Sequence, residues 1–377
     1  MRAVALIDGE HYVSVVRDAL AELPYEFVGA ILVGGTEKLR GGEDYGVPLV
    51  DDFGDVDVVV DLSDEPVLGP AERMRWASRA LAAGLPYEGA DFRFDPPQLE
   101  PVDAPSIAVI GTGKRVGKTA VTGHLVRLLA QDRDVVVVAM GRGGPAEPEL
   151  IETPPTVDDL LALSRSGRHA ASDHLETAAL CGVTTIGCRR AGGGFAGAVS
   201  ISNVLEGARL AVERDPDVIV FDGSGAAIPP VAADRRVLVV GGRQDADAYL
   251  NLYRRLISDV VVAVNCDVEG AISASLRLRP IEAVEGRVAV FTAGGTDVEH
   301  LDADVVHVSC NLANRDALRE ELEGVDADTY LVEVKAAAID VVAEHARAAG
   351  KRVVLAANDV VAPELDDALL ALAPVPA

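Results

Sequence analysis

Three glycines, two lysines and two threonines fall within nine residues of this chain, Gly111-Thr112-Gly113-Lys114-Arg115-Val116-Gly117-Lys118-Thr119. An apolar run, Ser106-Ile107-Ala108-Val109-Ile110, precedes them, and a helical pattern from Ala120 to Leu129 follows. Strand, glycine-rich loop, Gly-Lys-Thr and helix, in that order, form a cradle for nucleotide phosphates. Loop amides and the helix N-terminus face the anion, the lysine adds positive charge, and the Thr119 hydroxyl is placed to reach Mg²⁺. The pattern predicts a protein that handles ATP or GTP. One detail departs from the usual spacing: Thr112 holds the position of the first glycine, and Gly111 stands one residue earlier.

Other residues could complete such a site. Val218-Ile219-Val220-Phe221-Asp222 is an apolar strand ending in an acid, followed by Gly223-Ser224-Gly225. In phosphoryl-transfer sites an acid there binds Mg²⁺ or its water. Arg142, within Met140-Gly141-Arg142-Gly143-Gly144-Pro145, would sit at a strand's C-terminal end, with Glu147, Glu149 and Glu152 close behind. Gly187-Cys188-Arg189-Arg190-Ala191-Gly192-Gly193-Gly194 reads as a second basic, glycine-rich loop. Its paired arginines suit a polyanion, because each guanidinium fork matches phosphate oxygens. Asn265 ends the strand Val260–Val264 and could read a base or bond backbone. Asp8-Gly9-Glu10-His11 and Asp61-Leu62-Ser63-Asp64-Glu65 close two earlier strands, where acids either bind ligands or cap turns. Lys335 follows the strand Tyr330–Val334.

The elements that must position these residues alternate. Residues 1–100 read as a small α/β domain, with strands at Ala3–Ile7, Val28–Val33 and Val56–Leu62 and helices at Tyr12–Leu23 and Pro70–Ala83. Asp95-Pro96-Pro97-Gln98-Leu99-Glu100-Pro101 marks a linker. Residues 101–285 read as a P-loop core. Its short Val- and Ile-rich strands at Ile107–Ile110, Val135–Met140, Val218–Phe221, Arg236–Val240 and Val260–Val264 suit burial on both faces. Helices are predicted at Lys118–Ala130, Thr156–Ser166, Asp173–Cys181, Ser202–Arg214 and Ala246–Ile257. Residues 286–377 continue the alternation, as a third unit or as more of the same sheet. The fold class is therefore α/β: a doubly wound, mostly parallel sheet with a P-loop, plus a smaller N-terminal α/β domain. Ligands should gather at the C-terminal ends of its strands.

Composition narrows the function. The net charge of −26 disfavours nucleic acid and anionic membranes. No run of 18 apolar residues lacks charges, so no transmembrane helix is expected. Four cysteines without Cys-x-x-Cys spacing fit a reduced, cytoplasmic protein. Of 34 basic residues only five are lysine, and two of those five lie in the glycine loop. An acidic, lysine-poor surface fits a salt-rich cytoplasm, and genomic GC bias gives the same composition. Against that background Lys114, Arg115, Lys118, Arg142, Arg189 and Arg190 form a basic island for a ligand more anionic than ATP alone.

The offset loop Gly111-Thr112-x-x-x-Val116-Gly117-Lys118-Thr119 resembles that of dethiobiotin synthetases. The whole set resembles the archaeal cyclic 2,3-diphosphoglycerate synthetase family more closely. The similarity runs through Ile7–Tyr12, Asp61–Pro66, Ala90–Phe94, Gly111–Ala120, Met140–Pro145, Gly187–Gly194, Ser202–Gly207, Asp222–Pro230 and Glu333–Ala338. It implies ATP-dependent closure of 2,3-diphosphoglycerate into a cyclic diphosphate, with release of ADP and phosphate. Lys118 and Lys114 would neutralise β/γ charge, and Asp222 and Thr119 would hold Mg²⁺. Gly111 to Thr119 and Asn265 would bind nucleotide, and Arg142, Arg189, Arg190 and Lys335 the substrate. K⁺ as a second cofactor and a homodimer stay open. Rival readings are another ring-closing ligase of the dethiobiotin-synthetase type and a non-enzymatic nucleotide switch. The switch fits poorly, because its usual lysine would fall at Gly113.

Overall fold

The computed structural model describes residues 1–65, 67–242, 246, 248–295 and 297–373. Pro66, one end of a motif named above, lies outside the described residues, as does Asp247 within the helix expected at Ala246–Ile257. The chain divides into two compact units. One comprises Met1–Gln98, Phe195–Gly197 and Gln244–Ser258, and the other the remainder.

The first unit holds β1 (Arg2–Asp8), α1 (Val13–Glu22), β2 (Glu26–Gly34), β3 (Val58–Asp61), α2 (Pro70–Ala82), β4 (Tyr87–Glu88) and β5 (Arg93–Phe94). Its sheet runs β2-β1-β3-β4-β5, parallel except for the β4–β5 pair. Ala3 to Ile7 are wholly buried, as a central strand covered on both faces requires. Pro70 opens α2, where its missing N–H costs nothing.

The second unit contains β6 (Ser106–Gly111), α3 (Lys118–Leu129), β7 (Val135–Gly141), β8 (Glu149–Ile151), α4 (Val157–Arg165), α5 (Asp173–Cys181), β9 (Thr184–Ala191), β10 (Ile201–Ser202), α6 (Val204–Val212), β11 (Val218–Asp222) and β12 (Arg235–Val240). After α7 (Asn251–Leu256), which packs on α2 in the first unit, come β13 (Val260–Val264), β14 (Ile272–Pro280), β15 (Arg287–Phe291), β16 (Asp304–Ser309), α8 (Arg315–Leu322) and β17 (Thr329–Glu333). A π-helical turn (Ala338–Ala343), α9 (Glu344–Ala348), β18 (Arg352–Val361) and α10 (Leu365–Leu370) complete it.

One 13-stranded sheet runs β10-β9-β7-β11-β6-β12-β13-β14-β18-β17-β15-β16, with β8 beside β9. The glycine-loop strand β6 is central, parallel to β11 and β12. Residues after 286 therefore extend the same sheet. Strand β14 joins the halves, pairing in parallel with β13 through Val262–Val264 and antiparallel with β18 through Ser275–Pro280. The architecture is α/β, with a large, mostly parallel sheet and a smaller N-terminal sheet.

Several elements differ from the sequence reading. Gly187–Arg190 is not loop but part of β9, buried at Gly187 and Cys188 only, and Gly187 is there because a Cβ would lie 2.6 Å from the His174 ring. Helix α6 begins at Val204 instead of Ser202, and α7 is confined to Asn251–Leu256. The helical segment after β17 opens with the π turn at Ala338–Ala343. Strand β14 was not anticipated, because its exposed and buried residues do not form an apolar run.

Candidate active site

Parallel pairing of β7, β11, β6, β12 and β13 sends the loops after all five toward one edge of the sheet. The loop after β6 turns into α3 through Gly117, whose φ is 89° and whose missing Cβ leaves room for Val264. Any side chain at Gly117 would lie 2.9 Å from Val264. Gly111 is similarly confined, since a Cβ there would lie 3.1 Å from the Gly225 carbonyl oxygen, whereas Gly113 faces open space. The offset glycine thus lets β6 pass close under the loop after β11. Thr112 is buried and its hydroxyl finds no hydrogen-bond partner.

Lys118, at the start of α3, extends to Asp222 at the end of β11 and forms an ion pair with its Oδ1. The Thr122 hydroxyl, one turn further along α3, donates to the same oxygen at 2.8 Å. Asp222 is buried, and the Lys118 side chain is 10% exposed. The pair therefore interacts with little screening. Sequence reading missed Thr122; its spacing of three from Thr119 on α3 was the available signal.

A cavity of about 740 Å³ opens beside this pair. Its walls include Gly113 to Ala120, Arg142 after β7, Gly223 to Gly225 after β11, and Asn265 after β13. Thr292 to Gly295 after β15, Lys335 and Ala336 after β17, and Ala356 to Asn358 in β18 form the other side. Among the described residues six cationic side chains line it (Lys114, Arg115, Lys118, Arg127, Arg142 and Lys335), against four acids (Asp173, Glu176, Asp297 and Glu333). Its lining is net positive in a chain of charge −26. Three residues at its wall have left-handed backbone without being glycine: Arg115 (φ 59°), Asn265 (φ 54°) and Ala336 (φ 40°). Such conformations are disfavoured for residues with a Cβ and cluster at ligand sites.

The two adjacent arginines separate. Arg190 donates to the Gly192 carbonyl at 2.7 Å and to the Ser224 carbonyl at 2.8 Å, bracing the loop that walls the cavity. Burial, and then the neighbouring Arg142, lower the guanidinium's hold on its proton. Arg189 is exposed; its backbone N–H donates to the Asn203 side chain. Neither arginine is among the lining residues. Lys335 is half-buried and paired with Glu176 of α5, its Nζ 2.5 and 2.6 Å from the two carboxylate oxygens. Glu176, which sequence reading also missed, is buried at that position. Burial pushes it up to about 7, against the opposing pull of Lys335. Glu149 and Glu152 are taken by Arg168 and Arg214.

In the first unit, Asp8 accepts hydrogen bonds from the backbone N–H groups of Glu10, His11 and Asp64 and contacts the His11 ring. Asp61 accepts from Ser63 and Tyr87. Both acids are engaged in closing their own turns.

The donor set suits Mg²⁺. Thr119 at the cavity wall and Asp222 behind it, paired with Lys118, offer hard oxygens, and no group of three or more His, Cys, Asp or Glu forms a metal cage among the described residues. Mg²⁺ is commonly held by one or two protein oxygens with phosphates and water supplying the rest. Among the described residues no helix is long and apolar enough to cross a membrane.

A mostly parallel sheet with a glycine-lysine-threonine loop on its central strand defines a P-loop nucleotide-binding protein. Family profiles carry the assignment further. Residues 2–95 match the cyclic 2,3-diphosphoglycerate synthetase N-terminal domain, 106–290 its P-loop domain and 280–359 its C-terminal domain. The chain is 49% identical to a cyclic 2,3-diphosphoglycerate synthetase of Rubrobacter xylanophilus, over 99% of this chain and 97% of that one. It is 42% identical to the protein of that name from Thermococcus gammatolerans, over 95% and 93%. For the one from Methanothermobacter thermautotrophicus the figures are 35%, 98% and 95%. The chain belongs to the cyclic 2,3-diphosphoglycerate synthetase family.

Proposed function

We propose that this protein uses ATP to close 2,3-diphosphoglycerate into its cyclic diphosphate, releasing ADP and phosphate. The observation that carries the reading is that one cavity gathers the P-loop cations with Arg142 after β7 on one flank and Lys335 after β17 on the other. A nucleotide triphosphate needs the first group alone. The additional cations suit a second, strongly anionic reactant, whose repulsion from ATP is the main obstacle to reaction.

One substrate phosphate oxygen attacks the γ-phosphorus of ATP. The bond to the β-phosphate oxygen breaks and ADP leaves, giving a phosphoanhydride. The other substrate phosphate then attacks the anhydride phosphorus still attached to the glycerate, and inorganic phosphate leaves. The two substrate phosphates share a short carbon frame, so alignment supplies much of the rate and no protein nucleophile is needed. Lys118 and Lys114 offset charge on the β- and γ-phosphates, with Gly111 to Thr119 around them and Asn265 near the base. Lys118 would turn from Asp222 toward phosphate, and Asp222 together with Thr119 are the residues that would hold Mg²⁺. When bound, the ion supplies charge neutralisation at the phosphates. Arg142 and Lys335 face the substrate, Arg190 fixes the Ser224 loop beside it, and Arg189 serves from the rim.

We place the enzyme in the cytoplasm, with its ATP. ADP release measured with Mg²⁺ and ATP should depend on added 2,3-diphosphoglycerate and not on 3-phosphoglycerate. ADP release indifferent to either compound would contradict the proposal. Repeating the assay in KCl and in NaCl reads whether K⁺ is required.

A further inference from the structure

Glu176 is out of place in a site built for phosphates. Its side chain is 5% exposed, and both oxygens lie within 2.6 Å of Lys335 Nζ. A carboxylate there cancels the charge of the very lysine that faces the cavity. Three of the charged groups around it, Glu333, Arg127 and Lys118, have separate engagements. Glu333, on β17 beside Lys335, accepts from the Ala293 N–H at 2.8 Å and the Asn358 amide of β18 at 2.7 Å. Arg127 of α3 pairs with Asp359 of β18, and Lys118 of α3 with Asp222. Arg142, after β7, and Asp173, one turn back on α5, line the same cavity. Lys335 is the cation that faces Glu176.

Resting on the function proposed above, we infer that Glu176 is a positioning residue that stands in for substrate. It holds Lys335 charged and aimed into the cavity, and yields it to an incoming anionic group by accepting one proton from solvent.

The physical reason is the burial of the pair. A buried carboxylate deprived of its counter-ion meets a large desolvation penalty, which protonation removes. Burial already places Glu176 at about 7, so the exchange needs little beyond neutral pH. Burial opposes the charge on Lys335, but Glu176 outweighs it and keeps the ammonium above its usual range. The lysine therefore stays cationic and positioned. The backbone around it is fixed, with Lys335 N–H bonded to the Glu333 carbonyl at 2.8 Å and Ala336 in its left-handed turn. The swap is then a side-chain event. It also sets a threshold: a ligand must be anionic enough to displace the carboxylate, which favours a diphosphate over a monophosphate.

The test is calorimetry of 2,3-diphosphoglycerate binding to the full chain at pH 8, in two buffers of different ionisation enthalpy. Wild type should take up close to one proton more per ligand than Glu176→Gln. Above pH 7 its affinity should fall roughly tenfold per pH unit relative to that variant, as linkage of one proton requires. The sign follows from the ionised carboxylate competing for Lys335 as pH rises. If Glu176→Gln does not fold, Lys335→Met serves, because Glu176 then stays protonated and the same excess uptake vanishes. Binding by wild type with proton counts and pH profiles equal to the variant's overturns the inference alone. No binding of 2,3-diphosphoglycerate by wild type overturns the proposed function and this inference with it.

Discussion

Asp222 illustrates how much one side chain must reconcile. It accepts from Lys118 and from Thr122, and in the proposed reaction it gives up the first bond when phosphate arrives. Lys118→Ala removes the charge that follows the γ-phosphate, and should lower kcat by about 10²-fold or more, as loss of a transition-state donor does; near-normal turnover would sink the P-loop assignment. Thr122→Val leaves the carboxylate with one fewer anchor and should cost about 1 kcal/mol of stability, read by urea unfolding. Arg189 and Arg190 looked equivalent in sequence. The structure makes Arg190→Ala the damaging change, because it releases Ser224, with an expected loss of about tenfold in kcat/KM. Arg189→Ala should lose less than about threefold, since a solvent-exposed cation contributes little. Most of the cations were legible because they sit in glycine-rich stretches or just after an apolar strand; Arg127, within α3, was not. Glu176 and Thr122 were not, because a lone acid or hydroxyl on a helix acquires meaning only from what packs across from it.

At the scale of elements, the loops owe their shape to backbone that most residues resist. Gly117→Ala would force a Cβ into left-handed backbone and against Val264, and should destabilise by about 1–3 kcal/mol. Ala336→Gly is the converse. It relieves left-handed strain next to Lys335, so stability should rise by about 0.5–1 kcal/mol, while kcat falls as the lysine loses its fixed base. Thermal unfolding and steady-state rates measured together would separate the two effects. Strands of unbroken Val and Ile, such as β7 and β11, could be read from sequence, since burial on both faces leaves no alternation. Strand β9 was read as loop because Gly187 and the three glycines from Gly192 resemble a turn, yet Gly187 is a packing gap for His174. The π turn before α9 has no local sequence mark.

For the whole molecule, 60 acids against 34 lysines and arginines make self-repulsion a standing cost. Screening should reduce it, so the unfolding temperature should rise between low salt and about 1 M KCl, where the Debye length has shrunk to about 3 Å. An unchanged temperature would show that the surface charge is already compensated locally. The chain passes through its first unit three times, and α7 packs there on α2. A fragment starting at residue 99 would leave α7 without that partner, and should be recovered in lower yield than the full chain. The alternation of strands and helices was visible in sequence, whereas the return of the chain to the first unit at Phe195–Gly197 and through α7, and the joining of the halves through β14, depended on tertiary pairing. The central claim is that two anionic reactants meet in one cavity and one of them closes on itself. Phosphorus NMR of the protein with ATP, Mg²⁺ and 2,3-diphosphoglycerate tests it most directly. The account predicts a new cyclic diphosphate resonance growing in step with ADP and inorganic phosphate, whereas ATP consumed without a cyclic product, at low salt and at high, would contradict it.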